Sequence, residues 1–471
     1  MKSAGLTTFA LVMLITGAVD SVRNLPAASL FGSTLIFFFA FSAIVFLIPT
    51  ALVSAELTAA NTDKSGIYQW VRAAFGDKTA FLAIWLQWIS NLVWFPTMLS
   101  FIAGMTAYLF NPALAQNKFY LVGVILVTFW TLTLINLKGL RVSAKITSFC
   151  TLFGMALPMA LIIGLAGFWV IMGKPIQVHF SLSNVLPSFS HMDSWTSLTA
   201  IMTAFAGMEL AAVHIKDIRD PQKTYPRALY ISVWLILITM VLGSLAIAIV
   251  LPKSQISLVN GVMQSFTAFF EAYHIEWFIP IITLMLLVGT LGSVVSWVIS
   301  PARGLLQAAQ IGFLPEFLRV ENEHGVAANL LLTQAAIVST VCCGFLFIPS
   351  VSAYYWLLMA LSTQLYVLMY IMMFVSCLAL RFKKPASAAK PTTFTIPGGK
   401  FGLWTVCILG FIGCGITFIV GFFPPDGVDV GSVFGYEMTF CAGMLAMILP
   451  VISFYYFRNK KKPQLFLATE S

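Results

Sequence analysis

The polar positions of this chain are gathered into short segments, and the apolar ones form long runs with no alternation and no single wet face. A bilayer core of about 30 Å is crossed by about 20 helical residues. Runs of that kind occur near 5–31, 33–58, 79–109, 119–137, 146–172, 194–214, 227–251, 277–301, 328–348, 353–380, 402–423 and 434–457. The pattern predicts an all-α integral membrane protein of twelve transmembrane helices, a single domain over 1–458 followed by a short basic tail over 459–471. The first run begins within five residues of Met1, is too long for a signal sequence and has no small-residue cleavage site, so no cleaved targeting peptide is expected.

Two of these runs are interrupted. The first holds GAVDSVRNLPA at Gly17–Ala27, with Asp20, Arg23, Asn24 and Pro26 in an apolar setting. Pro26 lacks a backbone donor and disfavours helix at Leu25, and Asn24 competes for local backbone bonds, so the chain is expected to unwind over Val19–Leu25. Asp20 and Arg23, three apart, can pair across that break. Two readings stand side by side: an ion pair that fixes a kink, or a site that meets a ligand, since charges within a membrane mark transport pathways. The second interruption is TAFAGMELAAVH in the sixth run, where Gly207 and Glu209 sit among small residues that admit close approach. The first break lies in the first span and the second in the span that follows a block of five. Matching breaks in two five-span halves, about 5–172 and 194–380, are the sign of an inverted-repeat transporter with two further helices over 402–457. A half-helix N-terminus suits a carboxylate and unwound carbonyls suit an ammonium, so the pair of breaks suits an amino acid.

Spans eight and ten offer walls for that site. In span eight Gly289 and Gly292 permit close packing, and Trp297 lies beside Ser293, Ser296 and Ser300. In span ten Tyr366 and Tyr370 are spaced i, i+4 and share a face with Ser362, near Thr363, with Gln364 the remaining polar group. Both tyrosines sit in mid-span, away from the interface where tyrosine commonly anchors a helix.

Composition agrees with this picture and removes others. Charged residues make up 9% of the chain and hydrophobic residues 59%, against about 25% charged in a soluble domain. The net charge of +9 could suggest nucleic acid, but its distribution points to a bilayer. With a cytoplasmic N-terminus, the inner segments hold 22 Lys and Arg and the outer loops three, Lys118, Lys174 and Lys253. That bias predicts cytoplasmic ends and a bacterial inner-membrane location, with the FRNKKKP tail meeting lipid headgroups and no nucleic acid as a partner. Arg23 is the basic residue left over. The seven Cys and five His show no metal spacing, no cofactor motif is present, and Asp20, Arg23 and Glu209 form no nucleophile–base pair, so neither an enzyme nor a metal or cofactor site is expected.

These stretches resemble the amino acid–polyamine–organocation superfamily, and within it the glutamate/GABA antiporter family. The resemblance rests on DSVRNLP, on SGIYQWVRAAFG at Ser65–Gly76, and most of all on FAGMELAAVHIKDIRDPQKTYPRAL at Phe205–Leu229. SWVISPARGLLQAAQIGFLPEFL at Ser296–Leu318, TFTIPGGK and FFPPD follow in the expected order. The resemblance implies a five-plus-five inverted repeat with discontinuous helices one and six, exchange of small amino acids by alternating access, and substrate held at Val19, Asp20, Ser21, Arg23, Asn24, Phe205, Ala206, Gly207 and Glu209. Trp297, Tyr366 and Tyr370 fall at positions that line the family's pathway, and Ser293, on the same span as Trp297, is a further candidate contact. Ser293 stands where acid-resistance members carry an acidic residue, the tail is too short for their C-terminal plug, and span five has no Lys; these departures speak against plug gating and glutamate-for-GABA exchange and favour exchange over proton symport. His214 and Asp217, at the inner end of span six, are candidates for a gate or pH sensor, or for a solvated helix end. DIRDPQKTYP reads as a loop and QAAQIGFLPEFLRV as an amphipathic surface helix. Arg23, if not neutralised by Asp20, favours a second carboxylate; Glu209 favours cationic groups.

Overall fold

A computed structural model describes residues 7–60, 66–138, 149–187, 195–212, 218, 220–348, 350–383, 394–425 and 428–456. Eleven helices among them are long and apolar enough to cross a membrane. They are span one (Thr8–Ser29), two (Gly32–Ala60), three (Asp77–Phe110), four (Lys118–Leu137), five (Phe149–Ile171), seven (Pro221–Val250), eight (Ile279–Gln310), nine (Ala328–Phe347), ten (Val351–Lys383), eleven (Gly399–Val420) and twelve (Val433–Tyr456). Span six is the shorter apolar helix Ser197–Ala212. No strand occurs among the described residues. An all-helical solution is what lipid imposes, because each backbone N–H and C=O must find its partner within the segment. Large apolar side chains such as Phe9, Phe110, Trp277 and Phe401 are exposed on the outside, as lipid contact allows.

The interior is built around span three, which packs along spans eight and ten, while span one lies along span seven. Spans five and eight approach most closely where glycines meet: a side chain at Gly154 would strike the backbone of Gly289, and one at Gly292 would strike Cys150.

Both interrupted helices are broken. Helix one runs from Thr8 to Val19, and the Asp20 N–H closes its last turn on Thr16 O at 2.7 Å. Asp20 and Ser21 are then extended, a 3-10 turn covers Val22–Asn24, and helix resumes at Leu25–Ser29. The break is therefore shorter than Val19–Leu25, and Pro26 is not its cause. Pro26 occupies the first turn of the resumed helix, where its missing N–H has no helical partner to lose. Helix six runs over Ser197–Phe205, turns extended at Ala206, and continues through Gly207 at φ 113°, a conformation that favours glycine.

Three local expectations are corrected. DIRDPQKTYP is not all loop: span seven begins at Pro221 and carries Pro226 inside the helix. QAAQIGFLPEFLRV is not a separate amphipathic helix, since its start completes span eight and only Glu316–Arg319 forms a 3-10 turn. The helix Gly261–Tyr273, between spans seven and eight, was not foreseen; it buries Val262, Met263, Phe266, Phe269 and Phe270.

Candidate functional site

The two breaks face a common narrow cavity of about 40 Å³, room for a few waters. From span one it is lined by Gly17, Ala18, Val19, Ser21, Arg23 and Asn24. Span six contributes Thr203 and Ala206, span eight Ser293 and Trp297, and span ten Ser362, Thr363 and Tyr366. Span three contributes Asn91, Trp94 and Met98.

Eight of the thirteen residues singled out from the sequence as substrate contacts line this cavity: Val19, Ser21, Arg23, Asn24, Ala206, Ser293, Trp297 and Tyr366. Asp20, Phe205, Gly207, Glu209 and Tyr370 lie behind them. Phe205 turns into the core, edge-on to Phe39 at 5.6 Å. The side chains of Ser296 and Ser300, and all of His214 and Asp217, lie outside the described residues. Gln364 is turned to span eleven, donating to Thr417 O at 2.9 Å.

Span three was missed, although a signal was present. Gln87, Asn91, Trp94 and Met98 recur at i, i+4, i+7 and i+11, a single helical face. That face bears two amides and an indole in mid-span, which lipid would not favour.

Asp20 and Arg23 do not pair. The pairing rule for residues three apart holds on a continuous helix, and the extended backbone at Asp20 and Ser21 turns the two side chains apart. Arg23 is 2% exposed and is held by hydroxyls: Nη1 donates to Thr97 Oγ1 at 3.0 Å and to Tyr355 Oη at 2.9 Å. Its guanidinium lies 5.2 Å from the Trp94 ring, a cation–π contact. Its Nε and the Asn24 Oδ1 are buried without a hydrogen-bond partner. No carboxylate among the described residues forms an ion pair with Arg23. Trp94 also packs against Trp297, ring centres 5.0 Å apart.

Glu209 does not draw the cavity toward cations, because its carboxylate is already surrounded by donors. Tyr366 Oη donates to Oε1 at 2.6 Å, Tyr370 Oη to Oε2 at 2.5 Å and Gln87 Nε2 to Oε1 at 3.1 Å. Tyr370 Oη in turn accepts the Gly207 N–H at 2.8 Å. One carboxylate thereby ties the break in span six to spans three and ten. The N–H of Gly207 is consumed in that network, whereas Ser21, at the start of the second half of span one, lines the cavity and makes no side-chain cap. Above the breaks, Thr203 and Thr363 are joined through their hydroxyls.

Comparison with known proteins identifies the family and the fold. The family model described as amino acid permease matches residues 6–449. The chain is 40% identical over 443 residues to an uncharacterized transporter of Legionella pneumophila, covering 94% of this chain and 95% of that one. It is 29% identical over 458 residues to a glutamate/gamma-aminobutyrate antiporter of Lactococcus lactis, covering 96% and 90%. Among solved structures, a mutant of the Eremococcus coleocola manganese transporter superposes with a TM-score of 0.59 at 14% identity, over 96% of this chain and 94% of that chain, a likeness of fold. With eleven spanning helices and a shorter apolar one among the described residues, two of them broken around a shared cavity, and a family model that spans nearly its whole length, the chain belongs to the amino acid permease family of membrane transporters.

Proposed function

We propose that this transporter exchanges amino acids across a bacterial inner membrane by alternating access, with cytoplasmic chain ends, and that its substrates carry an anionic or neutral side chain. The reading is carried by Arg23: a buried guanidinium on the wall of the cavity, held by hydroxyls and an aromatic ring, with no ion-paired carboxylate among the described residues. A buried positive charge in that condition gains from an anionic ligand. Glu209, satisfied by three donors, offers no opposing attraction to a cationic side chain.

In this proposal the substrate contacts are Val19, Ser21, Arg23, Asn24, Ala206, Ser293, Trp297 and Tyr366. The amino acid enters the cavity, the outer half of spans one and six closes over it, the helices rock, and the inner side opens. The empty carrier returns slowly, so a counter-substrate is required. The similarity to a glutamate/gamma-aminobutyrate antiporter supports the same class of substrate. The test is counterflow of labelled glutamate in proteoliposomes, with the amino acids and their decarboxylation products as competitors. Glutamate, aspartate or small neutral amino acids are expected to exchange. Strong exchange of arginine or agmatine with none of glutamate overturns the reading, and binding without counterflow marks a sensor.

A further inference from the structure

Asp20 is a buried carboxyl group that the cavity does not use. The break in span one turns it toward span seven, where Thr239 Oγ1 lies 2.7 Å from its Oδ2. The same hydroxyl oxygen lies 2.7 Å from Leu235 O and 3.1 Å from Ile236 O. A threonine hydroxyl has one hydrogen to give and two lone pairs to receive with. If Asp20 is ionised, the Thr239 hydrogen must choose between the carboxylate and the helix carbonyls, and one acceptor goes without. If Asp20 is a neutral acid, its own O–H donates to Thr239 Oγ1 and the Thr239 hydrogen serves Leu235 O, so both short contacts are made by a hydrogen bond. The other carboxyl oxygen, Oδ1, is buried without a partner, as is the hydroxyl of Thr16 one turn earlier on the same face. An unpartnered neutral carbonyl in such a place costs far less than an unpartnered charge.

Glu209 gives the opposite hydrogen count. Three donors converge on it, and Tyr370, already receiving the Gly207 N–H, has its single hydrogen free for the carboxylate.

We propose that Asp20 is a proton-binding site, which carries a proton while span one lies on span seven and releases it when the two separate. Among the described residues no ionisable group nearby substitutes for the proton. Span seven has none from Ile231 to Val250; Tyr230 precedes Thr239 by nine residues, about 13 Å along the helix, and Lys223, Tyr225 and Arg227 lie further back. Span five, which meets span one at Gly17 and Thr151, brings Cys150 among its described residues. Span six brings Glu209, held by its own donors, and on span one itself Arg23 is occupied by Thr97 and Tyr355. When the helices part, the proton leaves to water and the carboxylate is hydrated; when they close, it is taken up again. The closed conformation and the proton therefore stabilise each other.

This inference goes beyond the exchange reading and is testable without it. Infrared difference spectra of the full chain in lipid, wild type against Asp20→Asn, are expected to show the carbonyl band of a protonated carboxyl at neutral pH that the substitution removes and Glu209→Gln leaves in place. The asparagine amide can donate to Thr239 as the acid does, so the variant is expected to fold; solid-state NMR of wild-type chain labelled at aspartate reads the same protonated carboxyl with no substitution. In proteoliposomes, wild-type exchange is expected to rise with pH by up to about tenfold per unit, for one proton released on opening. Asp20→Asn, a permanent mimic of the protonated form, is expected to be slow and insensitive to pH. A band that Glu209→Gln removes and Asp20→Asn does not, or an Asp20→Asn pH profile equal to wild type, overturns the proposal. If no amino acid is exchanged at all, the transport reading fails while the spectra still decide the protonation of Asp20.

Discussion

Spans one and six are broken at corresponding places, and they hold their charges in opposite ways. In span six the charge is enclosed: Glu209 is tied by Gln87, Tyr366 and Tyr370, and the Gly207 N–H is used in the same network. In span one the charge has no such enclosure: Arg23 rests on two hydroxyls and a ring, with Nε and the neighbouring Asn24 Oδ1 buried and unpartnered. The difference teaches that a broken helix is not by itself a binding site. The break that spends its polar groups on the protein is a joint, and the one that keeps them free is where a ligand has something to gain.

The largest effect is expected from breaking the enclosed side. Glu209→Leu leaves two buried tyrosine hydroxyls without their acceptor and leaves the Gln87 amide only the Tyr366 hydroxyl, and about 3 kcal/mol or more of stability is expected to be lost, read as a lower melting temperature of the purified protein. A variant as stable as wild type would show that span six does not depend on this network. Arg23→Gln comes next. It removes the proposed charge-assisted contact to an anionic substrate, worth about 1.5–3 kcal/mol, so exchange of an acidic amino acid is expected to fall about 10- to 100-fold while a small neutral one suffers less, measured by counterflow. Equal losses for both substrates would make Arg23 a structural residue. Tyr370→Phe removes one donor to Glu209 and the acceptor of the Gly207 N–H, and about 1–2 kcal/mol is expected from the same melting measurement, with substrate preference unchanged. Cys441→Ala, half-buried on span twelve and remote from both breaks, is expected to shift stability by less than about 0.5 kcal/mol and leave exchange as it was.

Much of this was legible before any coordinates. Among the described residues eleven of the twelve apolar runs correspond to helices long enough to span and the sixth to a shorter apolar helix, because lipid leaves a spanning segment almost no alternative, and Gly207 marked its break because few other residues adopt a positive φ. Pro26 was misleading for a physical reason: proline interrupts a helix from within but is accommodated at its start, and the sequence does not say which position it holds. The partner of Asp20 was hidden for a related reason. Spacing rules presume an unbroken helix, and two extended residues were enough to send Asp20 to span seven and Arg23 to spans three and ten. The polar face of span three was overlooked because attention to Gly and Pro finds interruptions, whereas Gln87, Asn91 and Trp94 sit on a regular helix. The helix Gly261–Tyr273 is short and mixed in polarity, so neither the length expected of a span nor a loop composition identified it.

The seam between spans five and eight has a consequence for movement. Gly154 and Gly289 bring two main chains into direct apposition with no side chain between them, so at that point any sliding of one helix on the other would meet only backbone. A single methyl at Gly154 acts as a wedge in that slideway, and a carrier jammed in this manner keeps its cavity while losing its stroke.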